Sequence, residues 1–324
     1  MNILILSAGR RTKVVEYFKN EFNRIGGKVI ATDCDKLAPA LYVADKYIIV
    51  PRIDCDGYVQ RILQICRQEN IGGIISLIDP ELELIAKNKA DFEGIGVKLF
   101  VSDYETARVC FDKYEMFKFL QENNIPCAKT YLSVEDFKLA KDRGEIDFPV
   151  FVKPCCGSAS LGINIVNNEK HLQLLFELSD NLIIQEYLKG QEYGADCYID
   201  TVSKELVSVF VKKKIRMRSG ETDKAISFKD EKLFEFLKDF IPKLKANGTI
   251  DIDIFDVNGK WYISEVNPRF GGGYPHAYEC GCNFPKYILN NMQGIVNEPD
   301  IGNYESNVIM MKHDTLTMMR EENK

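Results

Sequence analysis

Histidine and tryptophan are scarce in this chain: three and one, respectively, among 324 residues. With His171, His276 and His313 far apart, a histidine-based zinc centre has few ligands to draw on. The ten cysteines are scattered and nowhere form Cys-x-x-Cys; Cys155-Cys156 and Cys280-x-Cys282 come closest, and neither has the spacing of a structural zinc site. They form no secretory framework, which points to a reducing compartment. No apolar run approaches the roughly 20 residues of a membrane span. The opening Met1-Asn-Ile-Leu-Ile-Leu has no basic leader. A cytoplasmic protein without a membrane partner is expected. A basic block is missing too: the formal charge is −6, and Lys212-Lys-Lys214 is short and sits in an apolar run. Nucleic acid is therefore not an expected partner. Finally, only one glycine follows the first apolar strand, where the dinucleotide fingerprint needs three, and this argues against NAD.

What is present is an ordinary globular composition, 45% hydrophobic and 28% charged, long enough for two or three domains. Up to about residue 100, short apolar strands alternate with amphipathic helices, which predicts a doubly wound parallel sheet. Val14, Val15, Phe18 and Phe22 mark the buried side of the first helix. Arg10 and Arg11, at the start of that helix, could hold an anion. A helix opens at Asp112-Lys113. A β-rich module then carries Lys153 at the end of the strand 148–154. A polar loop is expected at 216–225, a helix over 230–246, and a frayed end at 320–324. The divisions expected are 1–103 for the Rossmann-like domain, 104–147 for linking helices, 148–190 for a small lobe and 191–324 for a large one.

The stretch from Gly248 to Gly273 reads as a hairpin turning at Asp256-Val-Asn-Gly259. Asp251 and Asp253 alternate with isoleucines and share a face; Glu265 and Asn267 share a face on the return strand. Hard oxygen ligands on adjacent strands, with Arg269 beside them, suit Mg²⁺ bound to a polyphosphate. Residues 155–162 form a loop of small residues, in which backbone N–H groups, Ser158 and Ser160 could approach phosphate. It lacks the G-K-[ST] of a Walker A loop. Lys153 stands just before it as a fixed cation. The backbone edge at Gln185–Leu188 could read an adenine ring, and Glu192 could take ribose hydroxyls.

In this order, the parts resemble the ATP-grasp superfamily over about residues 100–290, preceded by what looks like its usual α/β domain. Glu265-Val-Asn-Pro-Arg-Phe-Gly-Gly-Gly273 is most similar to the carbamoyl-phosphate-synthase-like branch, which includes pyrrolysine-pathway-like ligases. The resemblance implies an α/β domain followed by a two-lobed α+β grasp fold. It implies that Lys113 and Lys153 hold ATP phosphates, with Gly157, Ser158, Ser160 and Gly162 closing over them. Gln185, Glu186, Tyr187 and Leu188 would meet the base, and Glu192 the ribose. Asp253, Glu265 and Asn267 would ligate Mg²⁺, or Mn²⁺ in its place. Gln185 and Asp253 are departures, since many members have Glu at each. Arg269, Lys153 and Arg216 would act in catalysis. Arg216, Arg218, Arg269, Gly271, Gly272 and Gly273 would bind substrate. Asp79 and Glu81, at the end of a parallel strand, could recognise an amine.

The activity implied is conversion of a carboxylate to an acylphosphate by ATP, and its capture by an amine with release of ADP and phosphate. No Ser-His-Asp or Cys-His pairing is needed. The partners expected are a small carboxylate and an amine, amino acids among them, with a homodimer as the default assembly. Phosphorylation of bicarbonate or carbamate uses the same residues, and a nucleotide-binding protein without turnover is the reading from another class.

Overall fold

Strands that alternate with amphipathic helices build the first layer. β1 (Asn2–Leu6), β2 (Val29–Asp33), β3 (Lys46–Ile49), β4 (Ile71–Ser76) and β5 (Lys98–Leu99) pair in parallel in the order β3-β2-β1-β4-β5. α1 (Thr12–Phe22) buries Val14, Val15, Phe18 and Phe22, as its periodicity predicts. α2 (Tyr58–Gln68), α3 (Asp79–Lys87) and α4 (Lys89–Glu93) complete the layer, with Pro80 in the first turn of α3, where its missing N–H is not needed. The strand order reverses at β1, so a crevice opens between the ends of β1 and β4. Arg11 and Asp79 stand at its two sides. The computed structural model describes residues 1–157 and 162–320, so Ser158, Ser160 and the end of the chain beyond Arg320 lie outside it.

α5 (Tyr104–Phe111) and α6 (Lys113–Glu122) lead to a small lobe. Its elements are β6 (Thr130–Tyr131), α7 (Val134–Asp142), β7 (Val150–Pro154), β8 (Asn164–Val166), α8 (Glu169–Leu178) and β9 (Leu182–Glu186). The strands pair antiparallel in the order β6-β9-β7-β8 over a core of their own, with Phe137 and Val150 at its centre.

The large lobe is one antiparallel sheet, ordered β14-β13-β10-β11-β12-β15. Its members are β10 (Gln191–Ile199), β11 (Leu206–Arg218), β12 (Glu221–Phe228), β13 (Gly248–Val257), β14 (Lys260–Asn267) and β15 (Ile309–Met311), with α9 (Glu231–Leu244) before β13. Residues 216–225 are not the polar loop that their composition predicts. They are the β11–β12 hairpin, closed by Ser219 and Gly220 at φ 50° and 75°, the left-handed pair that a tight two-residue turn requires. Charged residues hid the strands because the β11 arm of the hairpin, residues 215–218, is exposed to solvent. The other hairpin turns where expected, at Asn258 and Gly259, φ 54° and 79°.

Alternation gives this sheet two unlike faces. Ala195, Cys197, Val209, Val211, Ile250, Ile252 and Ile254 form one core with Leu233 and Leu237 of α9. The opposite face is polar toward β14 and aromatic farther along. There α10 (Tyr274–Glu279) and α11 (Phe284–Met292), elements the sequence reading did not foresee, cover Phe210 and Tyr198. α10 and the turn before it join the large lobe to the first layer: Tyr17 of α1 stacks on Tyr278 at 3.7 Å, and Phe18 meets Phe270 edge-on at 5.6 Å. Among the described residues no helix is long and apolar enough to cross a membrane.

His276 of α10 is buried against Phe210, and its ring donates Nε2–H to the Val308 carbonyl at 3.0 Å. Burial, with repulsion from Lys212, lowers its pKa from 6.5 to about 4; the Val308 hydrogen bond and Asp196 oppose that shift. The unfolded chain therefore binds the proton more tightly. Stability should be full above pH 6.5 and fall toward pH 4, by on the order of 3 kcal/mol from this group. Urea unfolding followed across that window should show the slope in the wild type and a shallower one in His276→Gln.

Candidate active site

The hairpin β13–β14 places its oxygen-bearing side chains by register alone. Asp253 pairs with Glu265 and Asp251 with Asn267, so all four share one face in a square of neighbouring strands. β10 extends the row, pairing Asp196 with Asp251 and Gly194 with Asp253. These four residues of the hairpin line a cleft of about 530 Å³. The small lobe supplies the opposite wall, through Phe151, Lys153, Gln185 and Leu188, and the crevice of the first layer supplies Arg11 and Asp79.

So many carboxylates on one face need cations. Lys214 reaches Glu192 at 2.7 Å and Asp253 at 2.6 Å with its side chain 5% exposed. Burial opposes its charge, but Asp253, Glu192 and Asp251 outweigh burial and raise its pKa. Beneath it, Lys212 and Asp196 form a fully buried ion pair. Asp251 is pushed up to about 7, by burial first and then by the charges of Asp196 and Asp253, with Lys212 and Arg269 opposing. Burial also raises the pKa of Glu192 against the pull of Lys214. Lys153 is buried, which lowers its pKa, and Lys113 adds repulsion while Glu265 and Asp253 oppose it.

Arg269 ties the large lobe to the first layer. Its guanidinium donates twice to Asp79 Oδ2, at 3.0 and 3.2 Å, and lies 3.7 Å from Asp251. Asp79 Oδ1 is buried in the cleft wall without a hydrogen-bond partner. Arg11 pairs with Glu221 at 3.1 Å. Burial lowers the Arg11 pKa, partly offset by Glu221, while Arg269 adds repulsion.

At the small-lobe end of the cleft, Gln185 is buried and donates to Thr130 Oγ1 at 3.1 Å. Glu186 also faces the cleft, and its carboxylate accepts from Lys129 N at 3.1 Å. Tyr187 does not line the cleft itself but stacks at 4.9 Å on Phe151, which does. Lys113, in the first turn of α6, donates to the Gly157 carbonyl at 2.7 Å; it stands behind the cleft wall rather than in it. Gly157 and Gly162 both have positive φ, 125° and 70°, but do not line the cleft.

Several expected residues fall elsewhere. A register shift between Lys214 and Met217 breaks the alternation of β11, so Met217 enters the cleft lining. Arg216 instead lies 3.9 Å from Asp223, and Arg218 pairs with Asp314 at 3.0 Å, both largely exposed. Glu81 is fully buried, accepting hydrogen bonds from Tyr58 and, at 2.5 Å, from Ser76; it locks α3 to β4 and does not reach the cleft. Burial raises its pKa, against those hydroxyl donors. The three glycines answer to crowding: a Cβ on Gly271 would meet Asp251, one on Gly272 would lie 2.7 Å from Arg11, and one on Gly273 2.6 Å from Lys212. Gly272 and Gly273 line the cleft, and Gly271 does not.

Lys214 and Glu221 are cleft residues that sequence reasoning did not assign; Asp251, read there as sharing the face of Asp253, joins them in the lining. A signal existed for the first: Lys212 and Lys214 are two apart in an apolar strand, hence on one face, opposite a row of acids. Glu221 carried none, because its place depends on the hairpin hidden in the polar segment.

A parallel-sheet α/β domain followed by a small and a large antiparallel lobe, closing on one charged cleft, is the class of protein that this fold defines. A family model described as an ATP-grasp domain matches residues 110–273, and one described as a PylC-like N-terminal domain matches 3–100. The chain belongs to the ATP-grasp family. It is 27% identical over 187 residues to the arginine-specific large chain of carbamoyl phosphate synthase from Geobacillus stearothermophilus, a match covering 55% of this chain and 18% of that one. It is 27% identical over 179 residues to the D-alanine–D-alanine ligase of Helicobacter pylori (strain P12), covering 50% of this chain and 51% of the ligase. The chain thus spans at most about half of either curated relative. Among solved structures, N5-carboxyaminoimidazole synthetase from Staphylococcus aureus complexed with ADP shares the fold, with a TM-score of 0.73 at 19% identity over 93% of this chain and 79% of that one.

Lys214→Met should leave Glu192 and Asp253 facing each other without their cation. Breaking a buried pair in this way costs about 3 kcal/mol. Chemical unfolding in a chelator should show that loss, and added Mg²⁺ should recover part of it by taking the lysine's place.

Proposed function

We propose that this chain is an ATP- and Mg²⁺-dependent ligase that activates a carboxylate as an acylphosphate and joins it to an amine. The observation that carries this reading is the convergence of Lys153, the Asp253/Glu265/Asn267 group and Arg269 on one cleft. The residues suit the groups they would hold. Asp253 on one strand and Glu265 and Asn267 on the other offer hard oxygen donors across a hairpin, which fits Mg²⁺. Mg²⁺, when bound, offsets charge on the transferring phosphoryl.

The chain's own residues would do the rest. Lys153 holds the phosphates; its burial makes its charge act at short range in a poorly solvated wall. The edge after β9, with Gln185 and Leu188, holds the base. Glu192 takes the ribose once Lys214 releases its carboxylate. A substrate carboxylate oxygen attacks the terminal phosphorus and ADP leaves; the amine nitrogen then attacks the acyl carbon, and phosphate leaves as the nitrogen loses its proton. Arg269 donates to the acyl oxygen where negative charge grows.

The acceptor lies at the crevice of the first layer. Asp79 Oδ1, buried and unpartnered, receives an amine N–H, and Arg11 faces a carboxylate there. Amino acids carry both groups and are the substrates to try first.

The test is a screen for ADP release over pairs of carboxylates and amines with Mg²⁺, bicarbonate included, with products identified by mass. A condensed product is expected, and Lys153→Ala should lose about 10²–10³-fold in rate. Response to bicarbonate alone would favour the carbamate-type alternative. Adenine nucleotides that give no binding heat at any Mg²⁺ concentration would sink both.

Asp79→Asn separates the acceptor from the nucleotide. The KM for the amine should rise at least about tenfold while ADP affinity stays unchanged. Equal loss of both would place Asp79 in the nucleotide site instead.

A further inference from the structure

Cys155 and Cys156 have no part in the reaction above, yet the fold gives them a third partner. Chain neighbours in a regular strand point to opposite faces. Here β7 has ended at Pro154, and Cys156 makes an isolated antiparallel bridge with Asp112, the residue that caps α6. Lys113 N donates to the Cys155 carbonyl at 3.0 Å, which fixes the crossing. Cys155 Sγ then lies 3.1 Å from Asp112 Oδ1, and Cys156 Sγ 3.8 Å from Asp112 Oδ2. Both sulfurs and a carboxylate oxygen fit within 4.8 Å of one another, the one such grouping of three among the described residues.

Those separations are those of ligands around a small ion. With Zn–S near 2.3 Å and Zn–O near 2.0 Å, tetrahedral geometry puts sulfur and oxygen roughly 3.5 Å apart. Cys156 Sγ, at 3.8 Å from Asp112 Oδ2, lies close to that value, and Cys155 Sγ completes the grouping within 4.8 Å. Asp112 Oδ1 already accepts from Tyr114 N and Glu115 N at 2.9 and 3.0 Å, and this pair of bonds holds the carboxylate in place and leaves Oδ2 as the ligand. Cys156 is half-buried, so an ion can enter from solvent.

We propose that Asp112, Cys155 and Cys156 form a three-ligand site for Zn²⁺, with water in the fourth position. Binding forms two Zn–S bonds and one Zn–O bond and releases two thiol protons to solvent, with no change of oxidation state. Two neutral thiols with one carboxylate carry a single negative charge, and so do two thiolates, the carboxylate and the ion together. Occupancy therefore leaves the field at Lys113 and Lys153 nearly unchanged. Its effect is mechanical: it ties the end of β7, which carries Lys153, to the start of α6, which carries Lys113. That consequence for nucleotide binding rests on the function proposed above; the metal site does not.

The experiment is a titration of the metal-free full chain with Co²⁺, reading the thiolate-to-cobalt absorption, followed by displacement with Zn²⁺. One equivalent should produce the band, and Cys156→Ser should abolish it. Asp112→Asn keeps a good helix cap. It removes a direct ligand, and since outer partners alone are worth about 10–100-fold, its Kd should rise at least about tenfold. The control carries Cys34→Ser and Cys55→Ser, the two exposed cysteines, and should bind as the wild type does. No band in the wild type, a band that survives in Cys156→Ser, an unchanged Kd in Asp112→Asn, or loss in the control would each overturn the site. None of these readouts involves nucleotide, so the metal site and the ligase reading fail separately.

Discussion

Carboxylates crowded on one poorly solvated sheet face repel one another, and the arrangement of cations around them organises this molecule. Asp196, Asp251, Asp253, Glu192 and Glu265 lie on neighbouring strands of the large lobe. Lys212 answers the deepest of them and Lys214 the next pair, while Arg269 reaches across to Asp79 of the first layer. The compensation is incomplete: Asp251 still rises to about 7 from burial and its acidic neighbours. A face left short of positive charge is one that a divalent cation completes. Under the function proposed above, Mg²⁺ with its polyphosphate would be that cation.

The arginine at the end of the hairpin turns this local balance into an architectural one. Because Arg269 is held by Asp79, the cleft is built by both the large lobe and the parallel-sheet domain. The aromatic contacts of Tyr17 and Phe18 with Tyr278 and Phe270 make that union a shared core rather than a hinge of polar contacts. The small lobe has a separate core. Three successive glycines let the charged side chains of Asp251, Arg11 and Lys212 lie against backbone, where a Cβ would force those side chains to shift.

The parts of the site that were legible in the sequence are those whose geometry is local. A two-residue period puts Asp251 with Asp253 and Glu265 with Asn267, whatever the rest of the chain does. The Asn258-Gly259 turn then brings the two strands together. Arg216 and Arg218 follow the same period on paper, but a shifted register in β11 cancels it, and a bulge leaves no reliable mark in composition. Glu81 stands two residues from Asp79 on a helix, where that spacing turns side chains apart; one meets the cleft and the other the core. α10 and α11 went unread because their apolar positions follow a glycine run and are short.

Sequence by itself determined the alternation of the first layer, the acidic hairpin, the lysine at the end of β7 and the order of these parts along the chain. Each follows from covalent spacing and side-chain period, which act within a few residues. Tertiary structure alone decided which charges meet. The pairing of Arg269 with Asp79, of Lys214 with Glu192 and Asp253, and of Asp112 with two adjacent cysteines joins residues 22 to 190 positions apart or brings chain neighbours to one side. Such contacts are set by strand order and by the packing of separate layers, and no local pattern encodes them.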